Sequence, residues 1–384
     1  MSTYWRDKVN MIDGMPIQNE HIYHVVTIGG GLTGVLTTYF FDRVKDQNGE
    51  QEYVILCSRD KFAGGQTEGS LGIVSCLPGM LCTEMVKQLG RRKAGKYMKL
   101  CKAAVNDFEQ IISSKNIECG FSRLPMYVYS MEEENNLEKE AKLAKSMKLE
   151  VECTRDTGLP FAVSNAVRFD NQAQMNIMEF MNGISEGIEM YEDAHITFDK
   201  KLILQLYVND EQERKDGRFS VHTIFATNKL PDEFKGSKYD ILEEVRYAVM
   251  VISGCRPLNA IYHCIDKDGI TMRSDGENLL MQIEVDSEDV DGSIAHGKLR
   301  EFAGKYFPEG QETHFWVSTG YSTPSGIPFI EQQMEDAYWC SAFGTARCGP
   351  VLSMVAAKTL YSIVNKRRDP AKKLLAKYKI HLRK

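Results

Sequence analysis

Gly29, Gly31 and Gly34 fall at the spacing G-x-G-x-x-G, between the apolar run Val25-Val26-Thr27-Ile28 and a helical run opening at Val35. The chemistry of that pattern is anion binding. The first glycine permits a tight strand-to-helix turn, the second lets backbone approach a pyrophosphate, and the third lets helix pack close on strand. The helix N-terminus then offers unpaired N–H groups and the positive end of its dipole to the phosphates. A dinucleotide site normally adds an acid at the end of the second strand, where it holds the ribose. That strand reads Tyr53-Val54-Ile55-Leu56-Cys57, so Cys57 takes the acid's position, with Ser58, Arg59 and Asp60 behind it. A second glycine cluster, Gly64-Gly65-Gln66-Thr67-Glu68-Gly69, follows at once. Such a loop can bring backbone N–H groups against phosphates or a ring system.

The elements that must position these turns are legible in outline. A long helical region is predicted from Met85 to Ser114, with Tyr97, Met98, Cys101, Ala104, Val105, Phe108, Ile111 and Ile112 as its buried stripe. Glu132 to Lys148 reads as a charged helix with a thin seam of Leu137, Ala141 and Ala144. Ile177, Phe180, Met181, Ile184 and Ile188 share one helical face. Strands follow near 195–198, 201–208 and 219–226, and a second strand-rich region runs from Glu244 to Glu284. Lys298 to Tyr306 reads as a helix. Near the far end, strand, glycine-rich turn and helix recur: Tyr338 to Phe343, then Gly344-Thr345-Ala346-Arg347-Cys348-Gly349-Pro350, then 351–364. Pro350 suits the first turn of that helix.

Composition narrows the function classes. At 384 residues the chain suits two domains or one interleaved pair. A net charge of −6 argues against a nucleic-acid protein, although ten Lys or Arg and one acid crowd 358–384. The basic tail places Ala371, Leu374, Leu375, Tyr378 and Leu382 on one helical face, which we expect to pack on the body. No stretch approaches the roughly 18 apolar residues of a membrane span, and residues 1–20 lack the apolar core of a secretory signal. Ten cysteines without a C-x-x-C fit a reduced cytoplasm, and no His/Cys spacing suits a metal.

The two glycine-rich ends together resemble the D-amino-acid oxidase-like superfamily of FAD-dependent oxidoreductases. Thr323-Pro324-Ser325-Gly326-Ile327-Pro328-Phe329-Ile330 is similar to its closing "DGxPxIG" turn, with Ser325 for the Asp and Glu331 for the final Gly. Cys340 to Gly349 is similar, more loosely, to its last glycine turn. The segments Cys119-Gly120-Phe121, Tyr127-Val128-Tyr129 and Ala166 to Gln174, with Arg273 near Tyr262, resemble a bacterial subgroup whose longer members append a Rieske iron–sulfur domain. A Rieske centre needs C-x-H and C-x-x-H, and this sequence has neither.

The resemblance implies an α/β (α+β) fold: a Rossmann-like FAD-binding domain interleaved with a substrate domain built on a mainly antiparallel sheet. We expect 20–85, 166–230 and 315–384 to form the first, and 86–165 and 231–314 the second. It implies FAD, held by Gly29, Gly31, Leu32, Thr33, Gly34, Cys57, Ser58, Gly65, Gln66, Thr67, Gly69, Ile196, Ala226, Thr227, Gly344, Thr345 and Gly349. Reduced flavin gathers negative charge, which the helix N-terminus at Gly349-Pro350-Val351 would stabilise. The implied reaction is hydride transfer to flavin from a small amine or amino acid. A substrate carboxylate needs a fixed cation, for which Arg273 and then Arg246 are the candidates. Tyr247 and Tyr321, with Tyr262 and His263, would complete the pocket. Electrons would pass to a separate iron–sulfur carrier or to O2. The alternative is a flavin-binding relative without turnover, serving as a redox-partner or sensing subunit.

Overall fold

The computed structural model describes residues 3–11, 14, 23–42, 54–58, 61–77, 81–192, 194–198, 204–208, 220–228, 242–323, 326–334, 337–341 and 349–375. The apolar run before the glycine turn forms β1 (Tyr23–Ile28) and the turn opens α1 (Leu32–Asp42). β2 (Val54–Cys57) lies parallel on one side of β1. On the other side lies β10 (Ser220–Phe225), also parallel. β7 (Met190–Tyr191) extends the sheet beyond β2, and β17 (Ala337–Ser341) with antiparallel β16 (Phe329–Met334) extends it beyond β10. β1 is therefore central, and its near-continuous apolar sequence fits a strand covered on both faces.

The second sheet is larger and mainly antiparallel. Its order is β15 (Gln311–Ser322), β11 (Glu243–Ser253), β14 (Asn278–Val285), β13 (Thr271–Asp275), β12 (Ile261–Cys264), β4 (Ser122–Ser130), β6 (Asn165–Gln174) and β3 (Ile73–Val74). Only β12 and β4 pair in parallel, and β5 (Val151–Thr154) hangs from β6. A separate hairpin joins β8 (Ala194–Phe198) to β9 (Leu204–Val208). The mixed architecture is the expected one, a mainly parallel sheet interleaved with a mainly antiparallel one. β3, β6 and β15 lie in the large sheet while β1, β2, β7, β10, β16 and β17 lie in the smaller one, so the chain crosses between the two sheets several times.

Side-chain alternation sorts each strand between cores. Val25 of β1 and Val54 and Leu56 of β2 face one cluster, shared with α1 and α7 (Gly349–Val364). Val26, Ile28, Ile55 and Cys57 face a second cluster with Tyr191, Phe225 and Trp339. In the large sheet, Val249, Val251, Leu280 and Ile261 join the first cluster, while Ala248, Met250, Met281 and Met272 face a third beneath α6 (Ser293–Tyr306).

The helical region expected from Met85 to Ser114 is two helices, α2 (Cys82–Leu89) and α3 (Arg91–Lys115). Gly90 breaks them at a φ of 74°, a conformation that other residues adopt at a cost. The whole expected stripe of α3 is buried. α4 (Leu137–Ser146) buries Leu137, Ala141 and Ala144 as read from sequence, and Glu140 with them. The Glu140 carboxylate reaches the free end of α2, accepting the Cys82 and Thr83 amides at 2.5 and 3.0 Å. α5 (Ile177–Ser185) is capped by Asn176, whose side chain accepts from the Met178 and Glu179 amides. In the tail, Ala371, Leu374 and Leu375 of α8 (Pro370–Leu375) pack into the first core as expected; Tyr378 and Leu382 lie outside the described residues. No helix among the described residues is long and apolar enough to cross a membrane.

Glu140 thus supplies from α4 the acceptor that α2 lacks in its own sequence. Replacing it with Ala leaves two helix-end amides without their acceptor. We expect Glu140→Ala to lower unfolding free energy by about 2 kcal/mol, read from urea denaturation. A change under about 0.5 kcal/mol would contradict this role for the buried carboxylate.

Candidate active site

The glycine turn is tight for measurable reasons. Gly29 has a φ of +122°, and a Cβ there would lie 2.3 Å from the Ala226 carbonyl oxygen. A Cβ on Gly34 would lie 1.9 Å from the Gly29 oxygen, so α1 approaches β1 only because the side chain is absent. Gly31 differs: among the described residues only Thr67 Oγ1, at 3.3 Å, stands within 4 Å of its Cβ position. The protein leaves space there, beside the first amides of α1, and a pyrophosphate fits a space of that kind.

The second glycine cluster packs directly against this turn. The Ala63 amide donates to the Gly30 carbonyl at 2.9 Å, and Leu32 N–H donates to Thr67 Oγ1 at 3.0 Å. Gly65 has a φ of +69°, and Gly69 lies so close to Ser318 that a Cβ would meet its Oγ at 2.3 Å. Gln66 Oε1 accepts from Asn228 Nδ2 at 3.3 Å, while its buried Nε2 has no partner among the described residues. A buried donor without an acceptor costs about 1–3 kcal/mol. A buried donor of this kind suits a bound acceptor. Thr33 and Ser353 hydroxyls meet at 2.8 Å, which sets α1 and α7 side by side near their N-termini. Gly349 opens α7, while Gly344 and Thr345 lie outside the described residues.

Cys57 does not serve as a stand-in for the ribose acid. Its side chain is fully buried in the core cluster with Val26, Tyr191 and Phe225, and burial pushes its thiol pKa far up. Ser58 is fixed by its backbone, donating to the Tyr191 oxygen and accepting from Ala194 N–H, both at 2.8 Å. Ile196 pairs with Leu206 in the hairpin. Ala226 N–H donates to Ile28 at 2.8 Å, and the Thr227 carbonyl accepts from Trp339 Nε1 at 2.8 Å. A carboxylate that does reach the loop comes from the next strand: Glu192, just past β7, accepts the Phe62 amide at 2.7 Å. Phe62 and Ser58 both crowd Gly30. No spacing motif marks Glu192, because β7 has only two residues and its pairing with β2 is long-range.

Arg273 needs a larger correction. It is 1% exposed, and each guanidinium nitrogen donates to a main-chain oxygen. The acceptors are Leu71, Met175 at 3.0 Å and Ser274 at 3.3 Å. The guanidinium also lies 4.9 Å from the Trp5 ring centroid, and burial lowers its pKa to about 10. It is a buried fastener for backbone and leaves no open edge for a substrate carboxylate. Arg246, the second candidate, donates to the Asp289 and Val290 carbonyls at 2.9 and 2.7 Å.

Strand parity separates the remaining candidates. Tyr247 pairs with Ser318 and Tyr321 with Glu244; since 244 and 247 are an odd number apart, the two tyrosines stand on opposite faces. Tyr247 shares the face of Val249 and Val251, which looks toward the second glycine loop. Tyr262 faces the other way, donating to the Thr157 oxygen at 2.7 Å; burial raises its pKa to about 12. His263 returns to the inner face, where Nδ1 lies 3.0 Å from Thr271 Oγ1. Next to Thr271 in register stands Gln282, 2% exposed, with neither amide atom partnered among the described residues. The sequence reading covered Gln282 only as part of the strand-rich region 244–284; its pairing within β14 sets its place. Gln282, Thr271 and His263 make a polar row on the inner face, which also carries Arg273 and Ser318. Among the described residues no group of three or more His, Cys, Asp or Glu could hold a metal.

The family model for FAD-dependent oxidoreductases, DAO, matches residues 24–362. The chain belongs to that family, and FAD is its cofactor. YhfW of Bacillus subtilis (strain 168), assigned as a Rieske 2Fe-2S iron–sulfur protein, is 22% identical over 396 residues, covering 99% of this chain and 76% of that one. Among solved structures, glycine oxidase from Geobacillus kaustophilus superposes with a TM-score of 0.69 at 14% identity, covering 91% and 96% of the two chains. The L-amino acid deaminase of Proteus myxofaciens, in complex with anthranilate, gives 0.71 at 10% identity and 96% of each.

Because Cys57 faces the core, an acid placed there would not reach a ribose. Cys57→Glu would force a carboxylate into a core that already holds Glu189 nearby. We expect it to destabilise the fold by about 3 kcal/mol or more without tightening FAD. Denaturant unfolding and flavin titration of the apoprotein read the two quantities; tighter FAD binding by a stable variant would refute this placement of the thiol.

Proposed function

We propose that this protein is an FAD-dependent dehydrogenase or oxidase of a small amine or amino acid. The observation that carries the reading is the Gln282 amide, unpartnered among the described residues and set in a polar row on the sheet face that meets the second glycine loop, where Trp316 donates to Gly69. An amide offers a donor and an acceptor together, so it suits the ammonium and carboxylate ends of an amino acid. Glycine oxidase and L-amino acid deaminase among the similar structures support an amine-bearing substrate.

FAD, when bound, would accept a hydride from the carbon that carries the amine, which becomes an iminium and loses an N–H proton to water as the imine. The protein's residues bind and orient. Gly31 leaves space beside the start of α1, Gln66 and Thr67 line the adjoining loop, and the start of α7 places a positive helix end beside α1. Gln282 and Thr271 hold the substrate's polar groups against the inner face, whose apolar residues exclude water. Glu192 holds a ribose hydroxyl in place of the acid missing from β2. The similarity to YhfW supports an iron–sulfur carrier as electron acceptor, with O2 as the other candidate. A second reading, a flavin-binding protein without turnover, draws on Arg273 being sealed from substrate.

Air-free titration of the FAD-loaded protein with amino acids and N-methyl amines, followed by flavin absorbance, tests the reading. One substrate should bleach the flavin. Gln282→Leu should then raise the half-saturating concentration tenfold or more (about 1.4 kcal/mol). Its melting temperature should hold or rise, because removing an unpaired buried amide relieves a penalty. A loaded protein that dithionite reduces and no amine does would favour the second reading.

A further inference from the structure

The N-terminal segment 3–8 is built into the body, far from its neighbours in sequence. Trp5 is fully buried and Tyr4 nearly so. Trp5 Nε1 donates to the Ser70 carbonyl at 2.7 Å, and Arg6 Nη2 to the Phe62 carbonyl at 3.0 Å. Arg6 also pairs with Glu68 at 2.7 Å. On the other side, Tyr4 OH donates to Asp275 Oδ2 at 2.5 Å, Lys8 Nζ reaches the same oxygen at 3.0 Å, and Asp7 Oδ2 lies 3.2 Å from His314 Nε2. The segment therefore grips the second glycine loop with one hand and the large sheet with the other.

What it grips is specific. Within 62–71, four carbonyls are taken by long side chains from elsewhere: Phe62 by Arg6, Gly69 by Trp316 at 3.3 Å, Ser70 by Trp5 and Leu71 by Arg273. In a planar trans peptide the next N–H points opposite to the carbonyl. Holding the Phe62 oxygen thus aims the Ala63 N–H, which donates to Gly30 inside the G-x-G-x-x-G turn. The Phe62 amide is fixed from the other side by Glu192. One peptide plane links Arg6 to the dinucleotide turn.

We propose that residues 3–8 are part of the cofactor site, acting as a clasp that holds the 62–71 loop against Gly30. Arg6 and Trp5 are positioning residues: they set where the loop and Gly30 stand, and FAD meets the loop. Affinity for FAD then depends on a segment outside the dinucleotide-binding unit. This rests on FAD binding alone and is independent of which substrate is oxidised.

The test uses the full chain as apoprotein, titrated with FAD and followed by flavin fluorescence quenching, well below each variant's melting temperature. Arg6→Ala should weaken FAD at least fivefold and blur the fine structure of the bound-flavin absorption band. Arg6→Lys, which can keep the Glu68 pair and one donor, should restore affinity to within twofold of the wild type. Trp5→Phe keeps a ring against Arg273 and loses the bond to Ser70; it should weaken FAD at least threefold, and it decides the matter if Arg6→Ala does not fold. A purely structural segment would lower melting temperature and leave the dissociation constant and the spectrum of the folded protein unmoved. FAD binding within twofold of wild type in folded Arg6→Ala and Trp5→Phe overturns the proposal, as does an Arg6→Ala loss that Arg6→Lys fails to restore.

Discussion

The backbone of α1 approaches the turn that leaves β1 so closely that a side chain on Gly34 would stand 1.9 Å from the Gly29 oxygen. The arrangement of the proposed cofactor site follows from that contact. It sets the helix axis against the strand, and with it the space beside Gly31. Because α1 is seated so closely, Thr33 can reach Ser353, and the start of α7 is drawn beside the start of α1. The loop at 62–71 then closes over the turn through Gly30 and Thr67. A methyl group at Gly34 would push the helix outward and undo each of these in turn.

Buried charged and polar side chains serve this protein mainly as fasteners for backbone. Arg273 holds three carbonyls, Glu140 caps a helix from another helix, and Asp289 accepts the Ile294 and Ala295 amides at the start of α6. Each satisfies main-chain groups that burial would otherwise strand, at a penalty of about 1–3 kcal/mol apiece. Gln282 and Gln66 Nε2, like Thr27 Oγ1 and Gln174 Oε1, are buried without a partner among the described residues. Gln282 differs from the others in that both of its amide atoms are unpartnered among the described residues, and the proposed function rests on it.

The large sheet acts as a sorting device. Its face toward α6 takes Tyr262 and the residues in register with Met250 and Met281. Its opposite face takes His263, Thr271, Gln282 and Tyr247 along with the apolar residues that meet the second glycine loop. One residue of register would exchange the two sets. Candidates chosen by type alone, as Tyr247 and Tyr321 were, are split by this rule.

The sequence by itself determined the parts whose signal is local. G-x-G-x-x-G after an apolar strand established the β1–α1 turn, since those glycines are required by contacts within six residues and one neighbouring strand. The helical stripe of α3 and the seam of α4 were legible because a buried face repeats at the helix period. The resemblance at both ends of the chain named the family and FAD. Only the tertiary structure decided the fate of Arg273, Cys57, Glu192 and Gln282. An arginine in a strand looks the same whether it meets a substrate or Leu71, 202 positions away. A cysteine at a strand end does not disclose which face it takes. The partners that settle such roles are set by strand pairing and by an N-terminal segment folded back across the body, and neither leaves a pattern in neighbouring residues.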